Sequence, residues 1–194
     1  MTHLKRTIWT ALLLGISGLW GSSAFAQQAA YTIDNSHTSV IFSVSHLGYS
    51  YCYGRFNKVE GTFSLDSAKP QASTFDVTID ANTVDTNDEK RDQHLRGPDF
   101  FDSKQFPTIT FKSESVSTTE DGYLVAGKMT MHGETKDVEL EMRQLGSGKG
   151  PGGKERTGFF LQKTIKRSEF GMNGNLKMIG DDVSITISFE GIKK

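Results

Sequence analysis

Apolar side chains recur at every second position along most of this chain, in short segments rich in valine, isoleucine, phenylalanine and threonine. That period places the apolar side chains on one face of an extended strand. Val40, Phe42 and Val44 form one such segment. The pattern recurs at 54–65, 75–79, 109–111, 123–125, 138–142, 158–166 and 183–189. With a further segment from Tyr31, the sequence predicts eight or nine strands.

Glycine, asparagine, aspartate and proline separate these segments, which is typical of an antiparallel sandwich or barrel. Closing about eight strands makes a barrel whose interior is filled by side chains or holds one small ligand. Of the thirteen phenylalanines in the chain, the twelve after residue 26 supply an apolar lining for such an interior. The sequence therefore predicts an all-β fold, as an antiparallel barrel or sandwich of about eight strands.

One segment departs from the alternation. Thr86 is followed three positions later by Glu89, which is the spacing of a helix-capping box. The next six residues give about two turns before Gly97 and Pro98 end them. We expect a short helix near residues 87–96 that covers one end of the barrel.

Residues 1–26 have the composition of a cleaved signal peptide. Lys5 and Arg6 precede an apolar stretch at 8–20, and the segment closes on Ala-Phe-Ala, the small-x-small pattern of a cleavage site. The apolar stretch is shorter than the roughly 20 residues of a membrane-spanning helix. We therefore expect residues 27–194 to be one exported domain that does not span a membrane.

The charges are balanced, with 22 lysines and arginines against 23 aspartates and glutamates. No basic block stands out, so we expect no nucleic-acid partner. The pattern also contains no carboxylate pair or nucleophile motif of a known reaction type, and we expect no catalysis, no cofactor and no metal. A homodimer stays open, as does an enzyme whose site residues are dispersed along the chain.

The histidines offer an alternative, a metal or small polar-ligand protein that uses His37, His46 or His94. His37 and His46 lie nine positions apart, on opposite faces of a regular strand, so both bind one metal only if the strand bends. Cys52 is the single cysteine and is expected to be inert. The glycines of 148–153 match a nucleotide-binding fingerprint but lead into a strand instead of a helix, so nucleotide binding is not expected.

Several strings of this sequence together resemble the YceI-like family of bacterial periplasmic proteins. They occupy 44–50, 54–56, 83–87, 91–96, 99–102, 106–107, 127–133 and 152–159. The resemblance covers essentially all of the chain after the predicted signal peptide. This sequence departs from the pattern most at 147–151, where the loop is rich in glycine.

The resemblance implies an extended, lipocalin-like antiparallel barrel whose hydrophobic tunnel holds a polyisoprenoid or another long-chain amphiphile. It implies no catalytic residue. On this basis we predict a non-enzymatic protein in the periplasm of a Gram-negative bacterium that sequesters or carries such a lipid. The predicted apolar lining is Phe42, Val44, Phe56, Val77, Ile79, Phe100, Phe101, Ile109, Phe111 and Val125. The predicted polar mouth, which binds the lipid head group, is His46, Arg91, His94 and Arg167.

Overall fold

The computed structural model describes residues 28–194, and the predicted signal peptide lies outside them. The described residues form eleven strands and one short α-helix. In chain order they are β1 Ala29–Ile33, β2 Ser39–His46, β3 Ser50–Phe56, β4 Val59–Leu65, β5 Thr74–Asp80, β6 Val84–Asp85, α1 Glu89–Leu95, β7 Thr108–Thr118, β8 Gly122–Met131, β9 Glu134–Lys149, β10 Glu155–Lys166 and β11 Ile179–Lys193. Among these residues no helix has the length and apolar character that crossing a membrane requires.

Eight of the strands close into a ring. The order is β1, β4, β5, β7, β8, β9, β10 and β11, and β11 pairs back to β1. Neighbouring strands in the ring are antiparallel. The predicted all-β barrel of about eight strands is confirmed, although strands such as β9, with 16 residues, run well beyond the short alternating segments of the sequence.

The remaining three strands extend the barrel at one end. The last residues of the long strand β11 pair with β1, while its earlier part, from Ile179 to Ser188, pairs with β2. Strand β2 then pairs with β3, and β3 with the two-residue strand β6. The segment after α1 packs its Phe101 ring against Phe42 of β2 and Phe56 of β3. Helix α1 and this segment therefore cover part of the extended end, as the sequence predicted for the helix.

The predicted single strand at 54–65 is wrong, because the chain turns a corner between β3 and β4. Asn57 and Lys58 donate their backbone N–H groups to the Thr83 hydroxyl, and Val59 donates its own to the side-chain oxygen of Asn35 at 2.7 Å. At this corner, side-chain oxygens therefore accept the backbone N–H groups that would otherwise bond to a neighbouring strand. This lets the chain leave its pairing with β2 and begin pairing with β1.

The predicted helix is confirmed, but its cap is not the predicted one. The carboxylate of Asp88 accepts the backbone N–H of Arg91 at 2.9 Å, so Asp88 is the N-cap. Thr86 instead donates its hydroxyl to the buried carboxylate of Asp92 at 2.5 Å. The threonine therefore ties the helix to the end of β6 and does not begin it.

Aromatic rings fill one part of the barrel interior. Phe159 is fully buried, and its ring lies 5.2 to 6.2 Å from the rings of four neighbours. These neighbours are Phe63, Phe75, Tyr123 and Phe189. Offset and edge-to-face contacts of this kind stabilise a core beyond the area they bury. We call Phe159 and these four neighbours the aromatic plug.

Asp34 joins the end of β1 to the rest of the barrel. Its carboxylate accepts the hydroxyl of Ser36 at 2.6 Å, an N–H of Arg156 at 2.7 Å, and lies 2.9 Å from Nδ1 of His37. The bonds from Ser36, Arg156 and His37, in that order of importance, hold the pKa of Asp34 far below its ordinary value. The ionised carboxylate therefore stabilises the fold.

Replacing Asp34 with asparagine is expected to lower the free energy of unfolding at pH 7 by about 2 kcal/mol, since charged hydrogen bonds are lost. A depressed carboxyl pKa stabilises the fold above the unfolded-state value of about 4, and that stabilisation is lost as the pH falls toward the folded-state pKa. The difference in the free energy of unfolding between wild type and variant, measured by urea titration, should therefore decrease below about pH 4. Glu120→Gln, at an exposed position, is the control. An equal difference in the free energy of unfolding at pH 7 and pH 3 would contradict the role of the ionised Asp34 carboxylate in stability.

Candidate functional site

A cavity of about 320 Å³ occupies the extended end of the barrel. Its wall is formed by β2, β3, β5, β7, β8, β10, β11, α1 and the segments that follow α1 and β10. Most of the wall is apolar, and 23 side chains contribute to it. Ligand sites in proteins have volumes of about 300–1,000 Å³ and are mostly apolar with a few polar groups, so this cavity is a candidate ligand site.

Seven of the ten predicted lining residues lie on the cavity wall. They are Phe42, Val44, Phe56, Ile79, Phe100, Phe101 and Ile109. Val77, Phe111 and Val125 do not lie on the wall; Val125 is fully buried in the core, and Val77 and Phe111 pack against that core. Period two predicts which face of a strand points inward, but it does not predict how far along the barrel axis the interior stays empty.

The sequence interpretation missed part of the wall, although the same alternation indicates most of it. Val183, Ile185 and Ile187 of β11 lie on the wall at period two, and so do Met129 and Met131 of β8. The wall also includes one residue without a sequence signal. This is Met172, which reaches the cavity from the irregular segment after β10.

Cys52 is also on the wall, half-buried, directly opposite Val44 in the pairing of β3 with β2. A half-buried thiol among apolar side chains behaves as a small hydrophobe. Because it is the only cysteine in the chain, a thiol reagent can label this one position on the cavity wall selectively.

The structure brings the four predicted polar residues to the cavity wall, and they differ in burial. His46, Arg91 and His94 are exposed to solvent, whereas Arg167 is only 4% exposed. Arg91 donates two hydrogen bonds of 2.7 Å to Thr86, one to its hydroxyl and one to its carbonyl oxygen. The three exposed residues therefore mark an open mouth. Arg167 places a buried positive charge on the cavity wall.

Backbone carbonyl oxygens hold Arg167 in place. The guanidinium donates to the carbonyls of Gly180, Met172 and Ile179 at 2.7 to 2.9 Å and lies over the ring of Phe100 at 5.7 Å. Burial lowers the pKa of Arg167 below its ordinary value. These three bonds use three of the five N–H donors of an arginine. The remaining two form no hydrogen bond with the described residues.

His37 lies away from the cavity wall, in the turn between β1 and β2. It shares a cluster with Asp34 and Glu190, whose potential ligand atoms lie within 4.8 Å of one another. Arg156 donates through the same nitrogen to Asp34 at 2.7 Å and Glu190 at 3.0 Å, so a guanidinium already neutralises this cluster. The three histidines of the metal alternative are thus not brought together.

Comparisons with known proteins agree with this architecture. The family model described as "YceI-like domain" matches residues 31–191. The UPF0312 protein of Pectobacterium atrosepticum is 36% identical over 191 residues, which is 98% of this chain and 99% of the relative.

Solved structures with the same fold include BcnA of Burkholderia cenocepacia, with a TM-score of 0.73 at 24% identity over 81% of this chain and 98% of that one. A second is a polyisoprenoid binding domain from Saccharophagus degradans, with a TM-score of 0.64 at 17% identity over 86% of this chain and 99% of that one. The cavity-bearing barrel and the match over residues 31–191 thus have one explanation: this chain belongs to the YceI-like family.

Proposed function

We propose that this protein binds a long-chain lipid, such as a polyisoprenoid, in the cavity and carries or sequesters it without chemical change. The observation that carries the proposal is an apolar cavity of about 320 Å³ with one buried cation on its wall. That combination fits a molecule with an apolar tail and one polar end. A solved structure of the same fold is a polyisoprenoid binding domain, which supports this class of ligand.

The apolar wall accounts for the strength of binding that a carrier needs. A cavity of about 320 Å³ buries roughly ten methylene-sized units of a tail, which gain about 8 kcal/mol on leaving water, at about 0.8 kcal/mol per unit. Ordering the tail and the loss of translational freedom offset part of this gain, and contacts of the head group add to it. We therefore expect dissociation constants of about 1 μM or weaker from water. Transfer from a membrane gains far less, so the lipid can be released there.

Arg167 selects the polar end of the ligand in this proposal. Its two remaining N–H donors point to a head group that offers oxygen acceptors, such as a hydroxyl, carboxylate or phosphate. A charge held by three carbonyls and an aromatic ring, with little water around it, gains most from an acceptor that carries a negative charge.

The wall favours binding over catalysis. Among the described residues, the hydrogen bonds of the cavity wall join Arg91, Thr86 and Asp92 to one another and Arg167 to backbone carbonyls. These bonds fix side chains in position and do not join a nucleophile to a base, which is the arrangement that covalent catalysis uses.

Native mass spectrometry of the purified protein tests the proposal. We expect the protein to retain a lipid that adds a discrete mass and is released by organic solvent. An Arg167→Met variant should retain less of any lipid with an anionic head group, since the cation is lost while an apolar side chain remains. Ligand-free protein after gentle isolation, or a bound metal ion in place of a lipid, would contradict the proposal and favour the metal alternative.

We also propose that the protein acts in the periplasm after removal of residues 1–26. The support is the sequence pattern of Lys5, Arg6 and the apolar stretch that closes on Ala-Phe-Ala. Osmotic shock should release a protein whose first residue is Gln27, as read by N-terminal mass spectrometry. A chain that begins at Met1 and stays with the cytosol would contradict this location.

A further inference from the structure

Exposed apolar side chains concentrate at one place on this protein. Eight large hydrophobic side chains are exposed among the described residues, and seven of them lie on the β2–β3 hairpin or in the segment before β11. Single exposed hydrophobic residues are normal on a protein surface, but a cluster indicates an interaction site. We define the rim as the four of these residues that lie on the hairpin turn and on the segment before β11. They are Leu47, Tyr49, Leu176 and Met178.

The two halves of the rim are joined through the backbone. Leu47 donates its backbone N–H to the carbonyl oxygen of Met178 at 2.7 Å. The hairpin turn is closed by a bond of 3.0 Å from the N–H of Tyr49 to the carbonyl oxygen of His46. The rim is therefore one connected surface formed by two adjacent turns.

Leu47 occupies a position where folding alone favours another residue. Its φ is 53°, and the φ of the following Gly48 is 73°. Hairpin turns with two positive φ angles strongly favour asparagine, aspartate or glycine, because other side chains are strained there. Here a leucine that is 47% exposed takes the position. Its apolar side chain neither relieves the backbone strain nor fills the core. Leucine at this position therefore serves a purpose other than folding.

The rim borders the mouth of the cavity. His46 and Ile179 are on the cavity wall, and they are the immediate chain neighbours of Leu47 and Met178. On one side the exposed Met178 leads directly to the apolar Ile179 of the wall, and on the other side Leu47 adjoins His46 at the mouth.

The two chain segments that form the rim carry no negative charge. Residues 35–57, which include the hairpin, contain no aspartate or glutamate, and neither do residues 173–180, in a chain with 23 acidic residues. The exposed Lys177 lies between Leu176 and Met178. Tyrosine and lysine beside exposed leucine and methionine match the composition of protein surfaces that lie at a membrane interface. Segments that carry Lys177 and no acidic residue are also compatible with the negative charge of an anionic bilayer, and the nearby exposed Asp99 lies 3.6 Å from His94.

We propose that the rim docks on the surface of a bilayer containing anionic lipids, so that a lipid passes between the bilayer and the cavity without crossing water. This inference rests on the proposed function, because it needs a lipid cargo. The occupant is a bilayer and not a second copy of the chain, because the rim consists of two turns beside the mouth, and a second protein seated there would cover the route of the lipid.

Vesicle flotation tests the docking. Vesicles of phosphatidylethanolamine and phosphatidylglycerol should carry the wild-type protein upward in a density gradient. The double variant Leu47→Asn, Met178→Ser should bind at least tenfold less, and asparagine is compatible with the positive φ of the turn. Lys177→Glu should reduce binding to these vesicles but change binding to neutral phosphatidylcholine little.

Leu145→Ser is the matched control. Leu145 is 57% exposed, but it lies on β9, far from the rim. Its neighbour Gly146 pairs with Gly158 of β10, which in turn pairs with Glu190. Glu190 is at the end of β11 opposite the rim. The control should float like wild type. Each protein is purified as the cell processes it, so that all variants share one N-terminus.

A second measurement separates failure of this inference from failure of the proposed function. The affinity of a water-soluble fluorescent acyl probe, measured without vesicles, should be the same in wild type and the double variant. Wild type that binds the probe but not vesicles would overturn the docking alone. A mass that falls from dimer to monomer in the double variant, without vesicle binding, would overturn it in favour of self-association. Wild type that binds no probe would overturn the proposed function.

Discussion

Replacing Val44 with aspartate is expected to weaken lipid binding about a hundredfold at pH 7, which corresponds to about 2.7 kcal/mol. Val44 lies on the cavity wall between β11 and β3, opposite Val183 and Cys52. The carboxylate would face apolar side chains and the ligand tail without a partner, so its ionised form is unfavourable. Titration with a fluorescent acyl probe, together with urea unfolding, measures both consequences.

Ile41→Asp is the control for this prediction, because Ile41 lies on the same strand but is 38% exposed on the outer face. It introduces the same charge and should leave the probe affinity nearly unchanged. An unpaired carboxyl in an apolar cavity also has a raised pKa, so the penalty at Val44→Asp should decrease as the pH falls below the folded-state value. Equal probe affinity in both variants would contradict the placement of the ligand in this cavity.

Replacing Phe159 with alanine is expected to lower the free energy of unfolding by about 3–5 kcal/mol and to leave the probe affinity within about threefold of wild type. Phe159 is at the centre of the aromatic plug and is fully buried, so its removal creates a void that the four surrounding rings cannot close. Chemical denaturation measures the first effect, and probe titration of the folded variant measures the second.

Phe42→Ala should have the opposite pair of effects, a large change in probe affinity and a small change in stability. Phe42 lies on the cavity wall and is partly buried, so its loss enlarges the cavity and changes the probe affinity more than the stability. Phe111→Ala is the matched control for Phe42→Ala, because Phe111 is also a partly buried phenylalanine but is not on the wall. If Phe159→Ala changed the affinity as much as Phe42→Ala, the filled and empty parts of the barrel would not be functionally separate.

The alternation of apolar residues was enough to predict most of the strands and their inward faces, because one face of each strand must be buried. It did not place the empty part of the interior. Val125 and Ile109 are both buried in the barrel interior, but only Ile109 lies on the cavity wall. The difference depends on which side chains from other strands meet at the same depth, and a single strand pattern contains no information on that.

Local signals at the chain's turns were less reliable, because long-range partners decided them. The Thr86 to Glu89 spacing predicted a cap, but the buried Asp92 accepts the threonine hydroxyl, and Asp88 caps the helix instead. The sequence predicted Arg167 at the polar mouth, and the structure places it buried on the cavity wall; the three carbonyls that bind its guanidinium come from segments that only the fold brings together.

The rate of Cys52 alkylation measures most directly whether the ligand occupies the cavity. Cys52 is the only cysteine of the chain and lies half-buried on the cavity wall, so a thiol reagent reports on this one place. The protein is first freed of lipid, and its reaction with N-ethylmaleimide is followed by mass spectrometry with and without a saturating long-chain lipid. We predict that bound lipid slows the alkylation at least tenfold, because the tail covers the thiol. An unchanged rate at saturating lipid would contradict the central claim that this cavity is the lipid site.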